Sequence, residues 1–378
     1  MRTWASERKF VMPVRPLPPN PNLEHLKYQA RDLKKLHAAR DRGAAQRIRE
    51  FHPQCRELTD EAIFARKMSL ADAQLTIARE RGFKSWPRLK EYVEKPELAE
   101  RIKKPRHELI EDPVFRRAVD LLDAGDAAGL REHLKAHNKL VQKRVEFEGW
   151  NYFRNPTLLE FVAENPIRHG KLPVNIVEVA RVILDAGPDQ ASRNTTLALA
   201  ATGSVPLEMG LTVPLIELLC DYGADPDEAI NAAALHGSLL AVRTLLQHGA
   251  RMTLPVAAAL NSVEDVRRLL GTASEQERHV ALSMASQIGW IDVVRVLLEA
   301  GENPNRYNPV GGHSHTTPLH QAALIGNEAL VRLLLERGAD PNMRDLMWNG
   351  TPADWARHEG HTALEGLLRG MENKEKTL

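Results

Sequence analysis

From about residue 113 onward the apolar positions return in a fixed grouping: a run of Leu, Val or Ile, a short gap, then glycine. The run reads VILDAGPDQ at 182–190, ELLCDYGADPD at 217–227, TLLQHGAR at 244–251, VLLEAGENPN at 296–305 and LLLERGADPN at 333–342. Each leucine-rich run predicts a helix. Gly187, Gly223, Gly249, Gly301 and Gly338 then mark helix ends, where a left-handed residue caps the last turn. Asp-Pro or Asn-Pro after three of them predicts a turn into a projecting finger. Alanine-rich stretches precede the runs: LALAATG, AINAAALHG, HVALSMASQIG, TPLHQAALIG and TPADWARHEG. They predict a first helix per unit, small enough on one face to pack closely on its neighbour. The period therefore predicts paired helices stacked side by side, each covering the apolar face that the next leaves open.

The front of the chain has no such period. Residues 1–19 carry Pro13, Pro16, Pro18 and Pro19, which predict an extended lead-in. Asn20-Pro21 offers a helix start, with Leu23, Leu26, Ala30 and Leu33 at helical spacing to about Arg40. Further starts stand at Thr59, Ser69 and Ser85, the last followed by Trp86-Pro87. Residues 20–95 thus read as a helical module. Residues 96–112 read as a charged, proline-broken linker, and 371–378 as a polar tail.

The stretch LADAQLTIARERGFKSWPRLK resembles a segment of bacterial proteins that carry ankyrin repeats downstream, and implies no activity. The stretch TPLHQAALIGNEALVRLLLERGADPNMRD resembles the ankyrin repeat itself, and TPADWARHEGHTALEGLLR resembles a terminal repeat. The resemblance implies an all-α ankyrin-repeat solenoid of helix-turn-helix units with finger hairpins, preceded by the small helical module. It extends over 113–370 as about seven units, clearest at 316–370. It also implies that Thr317 and His320 stitch neighbouring turns together, within a structural framework that includes Gly338 and Thr351. Departures are informative. Units at 229–278 fall short of the usual period of about 33 residues, which predicts trimmed fingers. Extra residues stand at Asn165–Pro173, and NRYNPVGGHSHT lengthens the finger before Thr317.

Composition changes the picture little. Among 378 residues, 43% are hydrophobic and 27% charged, enough apolar surface to exclude disorder as the dominant state. The formal net charge is +1, which argues against a globally basic nucleic-acid binder. The balance is uneven: residues 1–112 hold 25 Lys/Arg against 17 Asp/Glu, and residues 113–378 hold 26 against 33. Contact of that basic front with nucleic acid or an anionic membrane is the weakest of the readings. Cys55 and Cys220 make neither a disulfide framework nor a zinc spacing. No apolar run approaches the roughly 20 residues that span a bilayer, and the first residues lack a cleavage pattern. A cytoplasmic protein is expected.

Candidate chemistry concentrates in the lengthened finger. If Tyr307 to His315 is extended, His313 and His315 share a face and could meet a metal, a phosphate or an acidic side chain. A metal needs a third ligand, and His320 already belongs to the repeat framework, so no metal is assigned. His133 and His137 have helical spacing, but Leu134 stands where a metalloprotease needs glutamate. No phosphate loop or nucleophile elbow occurs, so no cofactor and no enzymatic activity are expected. The residues expected to bind a partner are Trp150, Tyr152, Arg154, Asn165, Arg168 and His169 toward the front, with Tyr307, His313, His315, Trp348 and Trp355 toward the back. Aromatics and arginine are the types that dominate interfaces, here placed along one concave face. The expected function is recognition of another protein. The second reading is a small-ligand or metal site, with catalytic use, around Tyr307, His313, His315 and Trp348. Nothing in the sequence addresses oligomeric state.

Overall fold

The computed structural model describes residues 17–18, 20–56, 58–95, 106–147, 153–310 and 312–372. Among the described residues all regular structure is helical, with no strand, as an all-α repeat fold requires. The expected lead-in at 1–16, the linker over 96–105, the tail from 373, and Trp150 and Tyr152 lie outside the described residues. The chain divides into two compact units. The first holds Met1–Arg40, Phe51–Ala233 and Leu240–Arg251; the second holds Asp41–Glu50, Ala234–Leu239 and Met252–Leu378.

In the first unit, capping chemistry sets the early helices. Asn22, rather than Asn20, caps Leu23–Ala38, its side-chain oxygen accepting from the His25 amide. Two residues on, the chain has passed Pro21, and Asn22 has the extended backbone that a cap needs. Thr59 caps Asp60–Ala65, and Ser69 forms a capping box with Asp72 on Leu70–Glu80. Leu26, Ala30 and Leu33 bury one stripe of the first helix, which packs against the helix carrying Ala73 and Ile77. Each buried leucine or isoleucine contributes about 1.5–3 kcal/mol. Farther on, Phe115, Phe153 and Phe161 meet edge to face: the Phe161 ring lies 6.0 Å from Phe115 and 5.2 Å from Phe153.

The second unit is built on helix pairs: Leu254–Ala259 with Val263–Leu270, Glu275–Ile288 with Ile291–Glu299, Pro318–Leu324 with Glu328–Glu336, and Pro352–His358 with Thr362–Glu372. One continuous core runs through them. Ala257, Ala258, Ala281, Ala285, Ala322, Ala323 and Ala353 let first helices approach closely, and Val293, Val294, Leu297, Leu330, Val331 and Leu334 fill the space behind.

Two sets of hydrogen bonds tie successive pairs. The residue after each inter-helix glycine reaches back to the previous turn. Trp290 Nε1 donates to the Ala259 carbonyl (2.9 Å), Asn327 Nδ2 to Gly289 (3.4 Å), and His361 Nε2 contacts Leu324 O (3.2 Å). Gly326 shows why its position tolerates no side chain: its φ is +68°, and a Cβ would stand 2.6 Å from the His361 ring. At the finger side, Asn305 donates to the Gly338 carbonyl (2.8 Å) and accepts from the Asp340 amide (2.8 Å).

The starts read from the sequence do not include the helix that follows Arg40. Residues Arg42–Phe51 form a helix whose first turn is capped by Asp41, the Ala44 amide donating to its carboxylate at 2.7 Å. Residues Asp41–Glu50 of it belong to the second unit.

Candidate functional site

The lengthened finger is closed onto itself. The Asn308 amide donates to the Thr316 carbonyl (2.7 Å), and the Thr316 amide to His313 (2.9 Å). Asn308 Nδ2 and Gln321 Nε2 both donate to Thr316 Oγ1, at 3.1 and 2.8 Å. Gln287 Nε2 fixes the tip through the Gly312 carbonyl (2.9 Å). Asn308, Ser314, His315 and Thr316 are consequently buried. The extended geometry expected for 307–315 does not form, because His313 takes a left-handed φ of +60°. The two imidazoles nevertheless lie 5.9 Å apart.

Beyond the next helix pair, Asp345 organises the turn that meets this insertion. Its Oδ1 accepts from the amides of Met347 (2.8 Å) and Trp348 (2.7 Å). Its Oδ2 accepts from the Gly350 amide (2.8 Å) and from Trp355 Nε1 (3.1 Å). The Leu346 amide donates to the His315 carbonyl (2.9 Å), joining turn to insertion. The result is an aromatic cluster. Trp348 stands edge-on to His315 at 5.3 Å and to Trp355 at 5.6 Å, and Trp355 lies 5.8 Å from His315. His315 is only 6% exposed, whereas Trp348 is 66% exposed. A large indole is held at the surface by a buried carboxylate and a buried imidazole. Tyr307 is half-buried, its hydroxyl donating to the Arg344 carbonyl (2.9 Å). Burial and the nearby Asp41 and Asp345 push its phenol up to about 12.

The structural residues form a second network beneath. His320 Nδ1 accepts from Thr317 Oγ1 (2.8 Å), and Nε2 faces the Gly350 carbonyl (3.2 Å). Burial holds this imidazole down to about 4, so it is neutral at pH 7. Thr351 makes the corresponding capping box with Asp354, and Gly338 ends Glu328–Glu336 with φ +85°.

The front set of expected residues is arranged differently and belongs to the first unit. Arg168 does not offer its guanidinium to a partner. Its side chain is 2% exposed, bonded to Asp123 at 2.9 and 2.7 Å and to Glu164 at 3.0 Å. Glu164 also accepts the amides of Arg168 (2.7 Å), His169 and Gly170 (3.1 Å). Asn165 is turned toward Leu199 O (3.0 Å) and Thr202 Oγ1 (3.1 Å). His169 remains at the surface, 3.1 Å from Asp123, its ring tilted against His107 at 4.5 Å. Arg154 is half-buried; burial, followed by the charges of Arg79 and Arg56, lowers its pKa. Burial thus separates the expected set: the second unit exposes the Trp348 indole, and the first turns Arg168 inward. Asp345 and Leu346 were not singled out by sequence reasoning, although an Asp two residues before a Met-Trp-Asn-Gly turn is a signal for such a carboxylate-ordered loop. Among the described residues, no three His, Cys, Asp or Glu converge as metal ligands.

In a comparison with protein families, a model described as ankyrin repeats (3 copies) fits residues 254–345. The match covers three of the helix pairs and includes the insertion, while Trp348 and Trp355 follow it directly. The chain thus carries ankyrin repeats over residues 254–345. A comparison with curated proteins finds no match. Ankyrin repeats are generally protein–protein interaction modules and generally non-enzymatic. No helix among the described residues is long and apolar enough to cross a membrane.

Proposed function

We propose that this protein binds another protein through the edge of its second unit, with Trp348 as the anchor. Tyr307, His313 and the edge of Trp355 supply the polar and aromatic surround, and His315 supports from below. The setting is cytoplasmic and the activity needs no chemistry. The observation that carries this reading is the exposure of Trp348 on a turn that Asp345 holds with four hydrogen bonds. An indole kept rigid and solvated loses little entropy on binding and gains its full burial, the usual property of a hot spot. Removing such a side chain costs about 2 kcal/mol or more, roughly thirtyfold in affinity. The test is affinity capture from native lysate with the wild-type chain and Trp348→Ala. A specific protein retained by the first and lost by the second supports the reading; equal capture places the interface elsewhere.

A further inference from the structure

The insertion that supports Trp348 already carries a ligand supplied by the chain. Helix Arg42–Phe51 sets three side-chain positions on one face, at i, i+3 and i+7, and each meets the receptor at a different point. Gly43 makes the closest approach: a Cβ there would lie 2.8 Å from Leu346 Cδ2 and 4.0 Å from the Tyr307 hydroxyl. Gln46 Nε2 donates to the Asn308 carbonyl at 3.1 Å. Glu50 Oε2 accepts from Ser314 Oγ at 2.6 Å.

The groups met at these three points, Tyr307, Asn308, Ser314 and Leu346, lie more than 250 residues away in sequence. Two of these contacts are side-chain hydrogen bonds and the third is the close approach of a glycine, beside the buried Ala44, Ala45 and Ile48. This is recognition of a helix face by shape and two polar groups, the mode in which a groove takes an amphipathic helix from another chain.

We propose that the insertion and Leu346 form a helix-docking site, filled here by residues 42–50, and that a partner helix with a small residue, Gln and Glu at i, i+3 and i+7 takes the same seat by displacing them. The inference rests on the reading of Trp348 as a partner anchor, because the Leu346 amide to His315 carbonyl bond joins the seat to the cluster beneath Trp348. A partner anchored on the indole would then meet helix 42–50 as its competitor. The seat specifies which helix it takes. Glycine is needed opposite Leu346, an amide donor opposite Asn308 O, and an acceptor opposite Ser314 Oγ.

The test uses the full-length chain and a synthetic peptide of residues 41–52, read by amide hydrogen exchange. In Gln46→Ala/Glu50→Ala, the Asn308, Thr316 and Leu346 amides should exchange about tenfold faster, while helices Pro318–Leu324 and Glu328–Glu336 keep their protection. Added peptide should restore the slow exchange. Gly43→Leu, which pushes the helix away through bulk, should give the same local release by a different route. If protection falls throughout the second unit in both variants, the helix is an inseparable part of the core and the proposal is overturned. It is equally overturned if release occurs and the peptide has no effect at any soluble concentration. The two readings fail separately. Capture unchanged by Trp348→Ala removes the anchor with the peptide result intact, and a silent peptide removes the helix seat with the anchor intact.

Discussion

The two lengthened loops, Glu164–Pro173 in the first unit and Asn305–Thr316 in the second, look alike in sequence and are held by opposite means. In the first, one carboxylate gathers three backbone amides and a guanidinium, and a second carboxylate grips the same arginine. In the second, amides, hydroxyls and backbone carbonyls close the loop without an ion pair inside it among the described residues. The difference decides what each can show to a partner. Charge pairing draws Arg168 inside, where the low dielectric requires that its partners be complete. Neutral hydrogen bonds close the other loop at little desolvation cost, so it serves as a floor on which an indole stands exposed.

The contrast is broken most severely by Glu164→Ala. It leaves Arg168 with Asp123 as the remaining carboxylate of the pair and strips three amides of their acceptor, so about 3–5 kcal/mol should be lost in urea unfolding. A loss below 1 kcal/mol would show that the charge network is dispensable and the contrast superficial. The comparable deletion at the other loop, Gln321→Ala on helix Pro318–Leu324, removes one neutral hydrogen bond to Thr316 and should cost about 1 kcal/mol.

Acid sharpens the comparison in the second unit. His320 and His279 are pushed down to about 4 and about 3, both chiefly by burial. A depressed folded pKa means that the unfolded chain binds protons more readily below its ordinary imidazole pKa of about 6.5. The stability these groups contribute is present above that value and is lost as pH falls from there toward the folded pKa. Between pH 7 and 5 the second unit should weaken by about 2 kcal/mol per such histidine. His320→Gln should flatten that slope in urea titrations at several pH values; an unchanged slope would assign the effect to other groups.

The repeats were legible because their period is local. The Leu-rich runs, their alanine-rich partners and Gly338 each announce an element within ten residues, and the helix pairs from 254 to 372 follow. Capping residues at Thr59 and Ser69 were equally plain. Helix Arg42–Phe51 was not, since Gly43 breaks its propensity and its apolar stripe is only Ala44, Ala45 and Ile48. What stabilises it is docking on residues far along the chain, which no local pattern records. The same limit applies to the site. Arg168 and Trp348 are both residue types favoured at interfaces, and only tertiary packing makes one buried and the other exposed. Nor could the stitching role of Trp290 be read before the Ala259 carbonyl was placed beside it. Trp290→Phe keeps an aromatic ring, deletes that bond and loses part of the indole's packing, and should cost about 1–2 kcal/mol in urea unfolding.

The smallest expected effect on stability is the most telling for function. Trp348→Ala removes a side chain that is already two-thirds in water, and its backbone amide still bonds to Asp345. Stability should change by no more than about 0.5 kcal/mol. Trp355→Ala, by contrast, deletes the Nε1 donor to Asp345 and a ring packed on both His315 and His320, and should cost about 2–3 kcal/mol. The pair therefore separates an anchor from a support. If the exposed indole costs as much as the inner one, its ring is holding the turn together, and its exposure loses its meaning as a binding feature. If its removal is thermodynamically silent and abolishes capture of a partner, recognition is the role left for it.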